Sequence, residues 1–338
     1  MKKFIIKILF YFIPFLLCLG GYEMIGLHTS GDIGILGQIP FGEKYVNNLQ
    51  QNYLQNNLTI ETLATSYEKL QIANVSKIFT IGDSFSQQKV FGYQNYLAHL
   101  LHENIINIKR NGSNLETAIS LLNSGIIDST TCQIIIIENG DRSVIEGLNK
   151  IDFEMQYKLP PEKEDQGKKN TNKNSKLYNL CSCIRLHLGH DNPIFKCNLK
   201  QACFTHHYFS QKLFYYKDDM NFLNTSQTDI EIAKENLILL NKKFSEKGIK
   251  LIFLIAADKY DVYRPFMTDD SLPIDTTTNE LSNIPDVCVI NTKTMFQDMV
   301  KNGEKDVYMV NDTHWSYKAS EAVAEKLIYV IDSFGILE

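Results

Sequence analysis

The sequence predicts an α/β fold: a three-layer α/β/α sandwich on a mainly parallel sheet, with a transmembrane helix at the N-terminus. Three observations carry that expectation. Short apolar runs recur without polar interruption, the clearest being the consecutive isoleucines Ile134, Ile135, Ile136 and Ile137. Runs of this kind are strands buried on both faces, as parallel sheets require. Between them lie stretches with apolar residues every three or four positions, the helical period. The chain also opens with a long uncharged apolar segment behind lysines.

Composition narrows the class further. The 338 residues are 44% hydrophobic and 22% charged, enough apolar material for a sizeable core, which excludes disordered and fibrous chains. Lys plus Arg number 34 against 39 Asp plus Glu, a net charge of −5, so the basic surplus that phosphate binding demands is missing and no nucleic-acid partner is expected. The expected organisation is a membrane segment over 1–22, a tether and entry segment over 23–70, and one domain over 71–338 interrupted by an insertion at 150–225.

Taken in order, residues 77–81 form a short apolar strand, 90–102 have helical spacing, 105–108 are apolar again, and 134–137 are the isoleucine strand. The pattern resumes with Ile230, Ala233, Leu237, Leu240 and Phe244 at helical spacing, then Gly248, then a strand over 249–255. Residues 287–290 form another strand. Ala319, Ala322, Val323, Leu327 and Val330 are the stripe of a closing amphipathic helix, with Ser316 as its N-cap.

The first residues bear on compartment. Lys2, Lys3 and Lys7 precede an uncharged run over 8–19 in which Pro14 is the one breaker. Residues 4–22 would measure about 29 Å as a helix at ~1.5 Å per residue, close to the hydrocarbon thickness of a bilayer. The lysines would stay cytoplasmic. The expectation is a single-pass protein of the bacterial inner membrane with its main domain in the periplasm. A cleaved signal peptide, with Cys18-Leu19-Gly20 at the cleavage position, is the competing reading.

Of seven cysteines, four cluster as Cys181, Cys183, Cys197 and Cys203. An exported chain keeps disulfides, so two bridges are expected there, their connectivity open. The alternative is a zinc site with nearby histidines, but C-x-C followed by wide gaps lacks paired knuckles, and no metal is assigned. Residues 160–175 are polar and lysine-rich, an exposed loop opening the insertion, which reads as a lid or partner surface without strand and helix alternation.

In an open parallel sheet, ligands bind beyond the carboxyl ends of the strands. After the first strand comes Gly82-Asp83-Ser84-Phe85-Ser86, where the glycine permits a tight turn and Ser84 is a candidate nucleophile, or else merely the cap of the next helix. Before the last helix comes Asn311-Asp312-Thr313-His314-Trp315-Ser316. In an extended segment Asp312 and His314 share one side, and a carboxylate beside an imidazole makes a general base.

A Gly-Asp-Ser turn after the first strand, with Asp and His just before the last helix, resembles the SGNH/GDSL hydrolase superfamily. Asp312-Thr313-His314-Trp315 resembles its alginate acetyltransferase branch of the AlgX/AlgJ type. Glu138-Asn139-Gly140-Asp141-Arg142 is similar to that branch's Glu-x-x-(Glu/Asp)-Arg, and Asp258-Lys259 with Tyr263 and Pro265 to its Asp-Lys…Tyr-x-Pro. Here the D-x-H segment follows the serine, the order of ordinary SGNH esterases, whereas those usually space the pair as D-x-x-H. A circularly rearranged relative of the acetyltransferase branch fits both features.

The resemblance implies an O-acetyltransferase acting on an exported polysaccharide, with Ser84, His314 and Asp312 as its catalytic residues. It needs no metal or organic cofactor. The acetyl donor would be relayed by a membrane-bound acyltransferase. The Ser84 backbone, Gly112 and Asn139 would supply oxyanion donors, and Asp83, Lys259 and Trp315 would line the substrate. Arg142 reads as an ion-pair partner of a neighbouring carboxylate. A periplasmic esterase and a non-catalytic glycan-binding assembly protein are the rival expectations.

Overall fold

The computed structural model describes residues 2–28, 32–35, 76–88, 91–110, 112–156 and 193–336. Five strands form one parallel sheet in the order β2-β1-β3-β6-β7: β1 (Ile78–Gly82), β2 (Ile105–Lys109), β3 (Ile134–Gly140), β6 (Lys250–Ala256) and β7 (Cys288–Asn291). Two more strands, β4 (Ile194–Asn198) and β5 (Lys212–Tyr216), pair antiparallel as a separate ribbon. The helices are α1 (Lys2–His28), α2 (Asp32–Ile35), α3 (Tyr93–Leu101), α4 (Asn114–Asn123), α5 (Asp141–Asn149) and α6 (Gln227–Ser245), followed by α7 (Lys259–Tyr263), α8 (Thr277–Leu281), α9 (Thr292–Lys301) and α10 (Tyr317–Ser333).

Side chains alternate across a pleated strand, so each strand feeds two cores. Ile78, Ile134, Ile136, Ile252 and Leu254 face one core, shared with α3, α9 and α10; Phe79, Ile135, Ile137, Leu251 and Phe253 face the other, shared with α4, α5 and α6. Both faces are therefore covered, which is why these strands read as unbroken apolar runs. Full burial of each such side chain contributes roughly 1.5–3 kcal/mol. Helix starts are set locally: Ser113 with Glu116 and Ser226 with Asp229 form capping boxes at α4 and α6. Ser316 holds the N-cap position of α10, but its side chain makes no capping bond.

The α/β architecture with a parallel central sheet agrees with the sequence, with corrections. β3 runs to Gly140, beyond the isoleucines, because Glu138 and Asn139 are buried like their neighbours. The insertion contains regular structure: the β4-β5 ribbon, with Leu213 and Phe214 in the main core, and a 3-10 helix over Lys217–Asn224. Among the described residues the expected disulfides are absent. Cys197, on β4, and Cys203, buried with its thiol donating to the Gln201 carbonyl at 3.7 Å, are both free; Cys181 and Cys183 lie outside the described residues.

The expected membrane segment lies inside α1, whose apolar side chains face outward, Phe10 being 72% and Leu17 71% exposed. Among the described residues no helix is long and apolar enough to cross a membrane. Within the stretch read as tether and entry segment, Ile33 is fully buried in the main core; residues 29–31 and 36–70 lie outside the described residues.

Candidate active site

The site forms where the strand order reverses. From β1 the chain steps to β2 on one side and later to β3 on the other, so the turns after β1 and β3 diverge and leave a crevice at their carboxyl ends. Gly82 ends β1. A Cβ there would lie 1.9 Å from Ser86 Oγ and 2.4 Å from Glu138 Oε2, so only glycine lets this turn pack onto β3. Asp83 then ties the two strand ends together. Its Oδ1 accepts the Phe85 N–H at 3.0 Å and its Oδ2 the Gly140 N–H at 3.1 Å. Below the turn, Glu138 Oε2 accepts the Asp83 N–H at 3.0 Å and the Ser86 hydroxyl at 2.8 Å. Burial, with the Asp83 charge behind it, pushes the Glu138 carboxyl well above the usual range.

Ser84 stands exposed on this braced turn. It occupies the N-cap position of a short 3-10 turn over Phe85–Gln87, but its side chain makes no capping bond. Its hydroxyl is therefore not spent on the capping role that a strand-to-helix serine usually has.

The opposite wall is the loop before α10, closed by an antiparallel bridge between Tyr308 and Trp315. Asp312 Oδ1 accepts the backbone N–H of His314 at 3.0 Å and lies 2.5 Å from His314 Nδ1. The two-residue spacing does place carboxylate and imidazole side by side. Burial disfavours charge on both, but the bond between them outweighs it: the His314 imidazole is held above its ordinary value and the Asp312 carboxyl below its own. Asp32 and Asp83 add to the upward pull on His314. The Phe85 ring packs 5.0 Å from the imidazole and 4.7 Å from the Trp315 ring. Trp315 is fully buried, so it is the floor under His314 rather than a surface for substrate.

Asp83, Ser84, Thr313 and His314 line one cavity of about 300 Å³. Sequence reading missed several of its other walls: Asp32 from the tether, Arg110 after β2, and Tyr216 at the end of the insertion's ribbon. Tyr216 could have been found had the ribbon been recognised. Asp32 carries no motif. Arg142 also faces this cavity and is the ion-pair partner it was expected to be, with Nη2 2.9 Å from Asp258 and 3.2 Å from Asp219.

Five expected residues are not among the cavity's walls. Asp312 stands behind His314, its carboxylate bonded to the imidazole. Lys259 is fully buried, and its ammonium donates to the carbonyls of Met309, Val310 and Asp312 at 2.6, 3.1 and 2.9 Å. Burial lowers its pKa to about 8, against the pull of Asp32 and Asp312. It braces the His314 loop from behind instead of meeting substrate. Trp315 is the floor already described. Gly112 has φ +90°, a left-handed conformation suited to glycine. Asn139 accepts from Asn114 Nδ2 at 3.3 Å through its Oδ1, while its Nδ2 is buried with no hydrogen-bond partner.

Among the described residues, two groups have ligand atoms close enough for a cation: Asp32, Asp312 and His314 at the cavity's edge, and the buried Asp141, Asp261 and Asp275 beyond Arg142. Lys293 already stands 3.7 Å from Asp261 and 3.9 Å from Asp275 in the second group.

Residues 211–334 match the family model of the SGNH hydrolase-like domain of the acetyltransferase AlgX. The matched stretch holds Tyr216, Lys259, Asp312 and His314; Ser84, Gly112 and Asn139 precede it. Among solved structures, the YXIM protein of Bacillus subtilis is similar at 12% identity with a TM-score of 0.37, over 78% of this chain and 57% of that one. No curated protein matches the chain.

Proposed function

We propose, from an SGNH hydrolase-like domain of the AlgX type over residues 211–334, that this chain is a serine-dependent O-acyltransferase. The observation that carries the reading is His314, paired with Asp312, lining the same cavity as Ser84, whose side chain makes no capping bond. Ser84 attacks the carbonyl carbon of an acyl ester, and His314 takes the hydroxyl proton while Asp312 holds the imidazole in the correct tautomer. The leaving alcohol departs with that proton. A sugar hydroxyl of the acceptor, deprotonated by His314, then attacks the acyl carbon, and the Ser84 oxygen leaves with the proton returned by His314. The oxyanion donor in this scheme is the Ser84 backbone N–H, the one expected donor that lines the cavity.

The acceptor we assign is an exported polysaccharide, and the acetyl donor is supplied at the membrane by a second acyltransferase. Anchoring belongs to the same proposal. Its supports are the lysines ahead of the apolar run and the outward-facing Phe4, Phe10, Tyr11 and Leu17 of α1, an apolar surface that needs a cover. The resulting placement is a periplasmic domain held at the inner membrane through α1.

The test is release of a chromogenic alcohol from its acetate ester by the full chain, with and without an oligosaccharide acceptor. Transfer is expected to speed release when acceptor is present and to leave O-acetylated sugar. Ser84→Ala is expected to lower turnover by roughly 10³-fold or more. Release that survives in Ser84→Ala would overturn the serine mechanism, and acceptor-independent release would make the protein an esterase.

A further inference from the structure

The short helix α2 follows α1 closely in sequence, yet its first two residues reach the far end of the chain. The Asp32 carboxylate accepts the Thr313 N–H at 2.8 Å through Oδ1 and the Thr313 hydroxyl through Oδ2. The Asp32 N–H donates to Asp312 Oδ2 at 3.3 Å, and the Ile33 N–H donates to the Asn311 carbonyl at 3.1 Å. Ile33 is fully buried in the same core that holds Trp315. These contacts bear on the orientation of one carboxylate. Asp312 has two oxygens: Oδ1 faces His314, and Oδ2 is held by the Asp32 backbone. With both oxygens engaged, the plane of the carboxylate cannot rotate away from the imidazole.

We propose that Asp32 is a positioning residue of this site: it clamps Asn311, Asp312 and Thr313 so that Asp312 presents one oxygen to His314, and the site is complete only when the segment after α1 is docked. The inference rests on His314 being the general base. It makes the machinery depend on a residue contributed from beside the N-terminal helix, so displacement of that segment withdraws the clamp without touching Ser84.

The clamp is also electrostatic. Asp32 is a second negative charge toward His314, along with Asp312 and Asp83. The other charged or titratable groups around it are Arg142 on α5, Lys259 on α7 and Tyr216 on β5, each of which feels the Asp32 charge, and Arg110 after β2, which lines the same cavity. Burial, then Asp312, raises the Asp32 carboxyl to about 6, so it is largely ionised at neutral pH. A negative charge near an imidazole favours its protonated form. Removing that charge while keeping the shape should therefore make His314 lose its proton at lower pH.

The experiment is an NMR titration of histidine-labelled full-length protein, with the His314 signal assigned by its loss in His314→Asn. A pH profile of ester turnover accompanies it. Asp32→Asn is expected to move the His314 midpoint and the acid limb of kcat/KM down together by roughly half a unit or more. Asp32→Glu, which keeps the charge, is expected to keep the midpoint. A folded Asp32→Asn protein with both quantities unmoved would overturn the proposal.

If Asp32→Asn does not fold, Thr313→Val carries the test by removing one donor to the carboxylate without changing charge. It is expected to lower kcat roughly tenfold with KM little changed; an unchanged kcat would overturn the clamp. A wild-type His314 midpoint displaced by EDTA would assign Asp32, Asp312 and His314 to a cation and also overturn it. Turnover surviving in Ser84→Ala while Asp32→Asn still shifts His314 would sink the serine mechanism and leave the clamp standing.

Discussion

Lys259 illustrates how far one side chain can depart from its sequence impression. A lysine just after a strand end reads as a group facing ligand, yet its ammonium is fully buried and satisfies three carbonyls of the His314 loop. Replacing it leaves those carbonyls unpaired, so Lys259→Met is expected to cost roughly 2–5 kcal/mol, read as a lower denaturant midpoint. A substrate-binding lysine would instead raise KM and leave stability alone. For His314, the raised imidazole pKa sets the sign of the pH dependence. The base must be neutral, so kcat/KM is expected to fall as pH drops through a value above the ordinary imidazole range near 6.5. An acid limb below that range would contradict the Asp312 contact. At this scale the D-x-H pair was legible, because a two-residue spacing fixes the geometry locally. Asp32 was not, since a lone carboxylate in a segment without periodicity carries no signal of a partner 281 positions away.

At the scale of elements, the strands were legible where both faces are buried and lost where polar residues replace apolar ones inside the sheet. β3 was read four residues wide, but Glu138 and Asn139 continue it. The structure accommodates them through Ser86, the Asp83 backbone and Asn114. That same packing makes the β1 turn intolerant. Gly82→Ala is expected to lose soluble folded protein or to melt several degrees lower in a thermal scan, because the new methyl meets the Glu138 carboxyl and Ser86. A melting curve matching wild type would show that the turn is not fixed as described. The insertion was misread for a related reason. A lysine- and asparagine-rich stretch, outside the described residues, drew the reading away from the ribbon that follows it in sequence, whose end carries Tyr216 to the cavity and leads into the 3-10 helix carrying Asp219 to Arg142. Arg142→Ala strips two buried aspartates of their cation and is expected to cost roughly 3–5 kcal/mol by denaturant unfolding, with partial recovery in Arg142→Lys. No loss of stability would remove Arg142 from that role.

Across the whole molecule, the strand order explains why distant motifs converge. The chain leaves β1 in one direction and returns to its other side at β3, and the last loop before α10 closes over the gap. That order, with the loop before α10, brings Ser84 and His314 into the lining of one cavity. The coupling of the N-terminal segment to the same place follows from packing alone. The central claim is that Ser84 is the nucleophile served by His314, and covalent trapping tests it most directly. After brief exposure of the full chain to an acetate ester, acid quenching and peptide mass spectrometry should find one acetyl group on the peptide containing Ser84. Ser84→Ala should show none, and His314→Asn far less. Rapid ester turnover with no acetyl group on Ser84 would contradict the account.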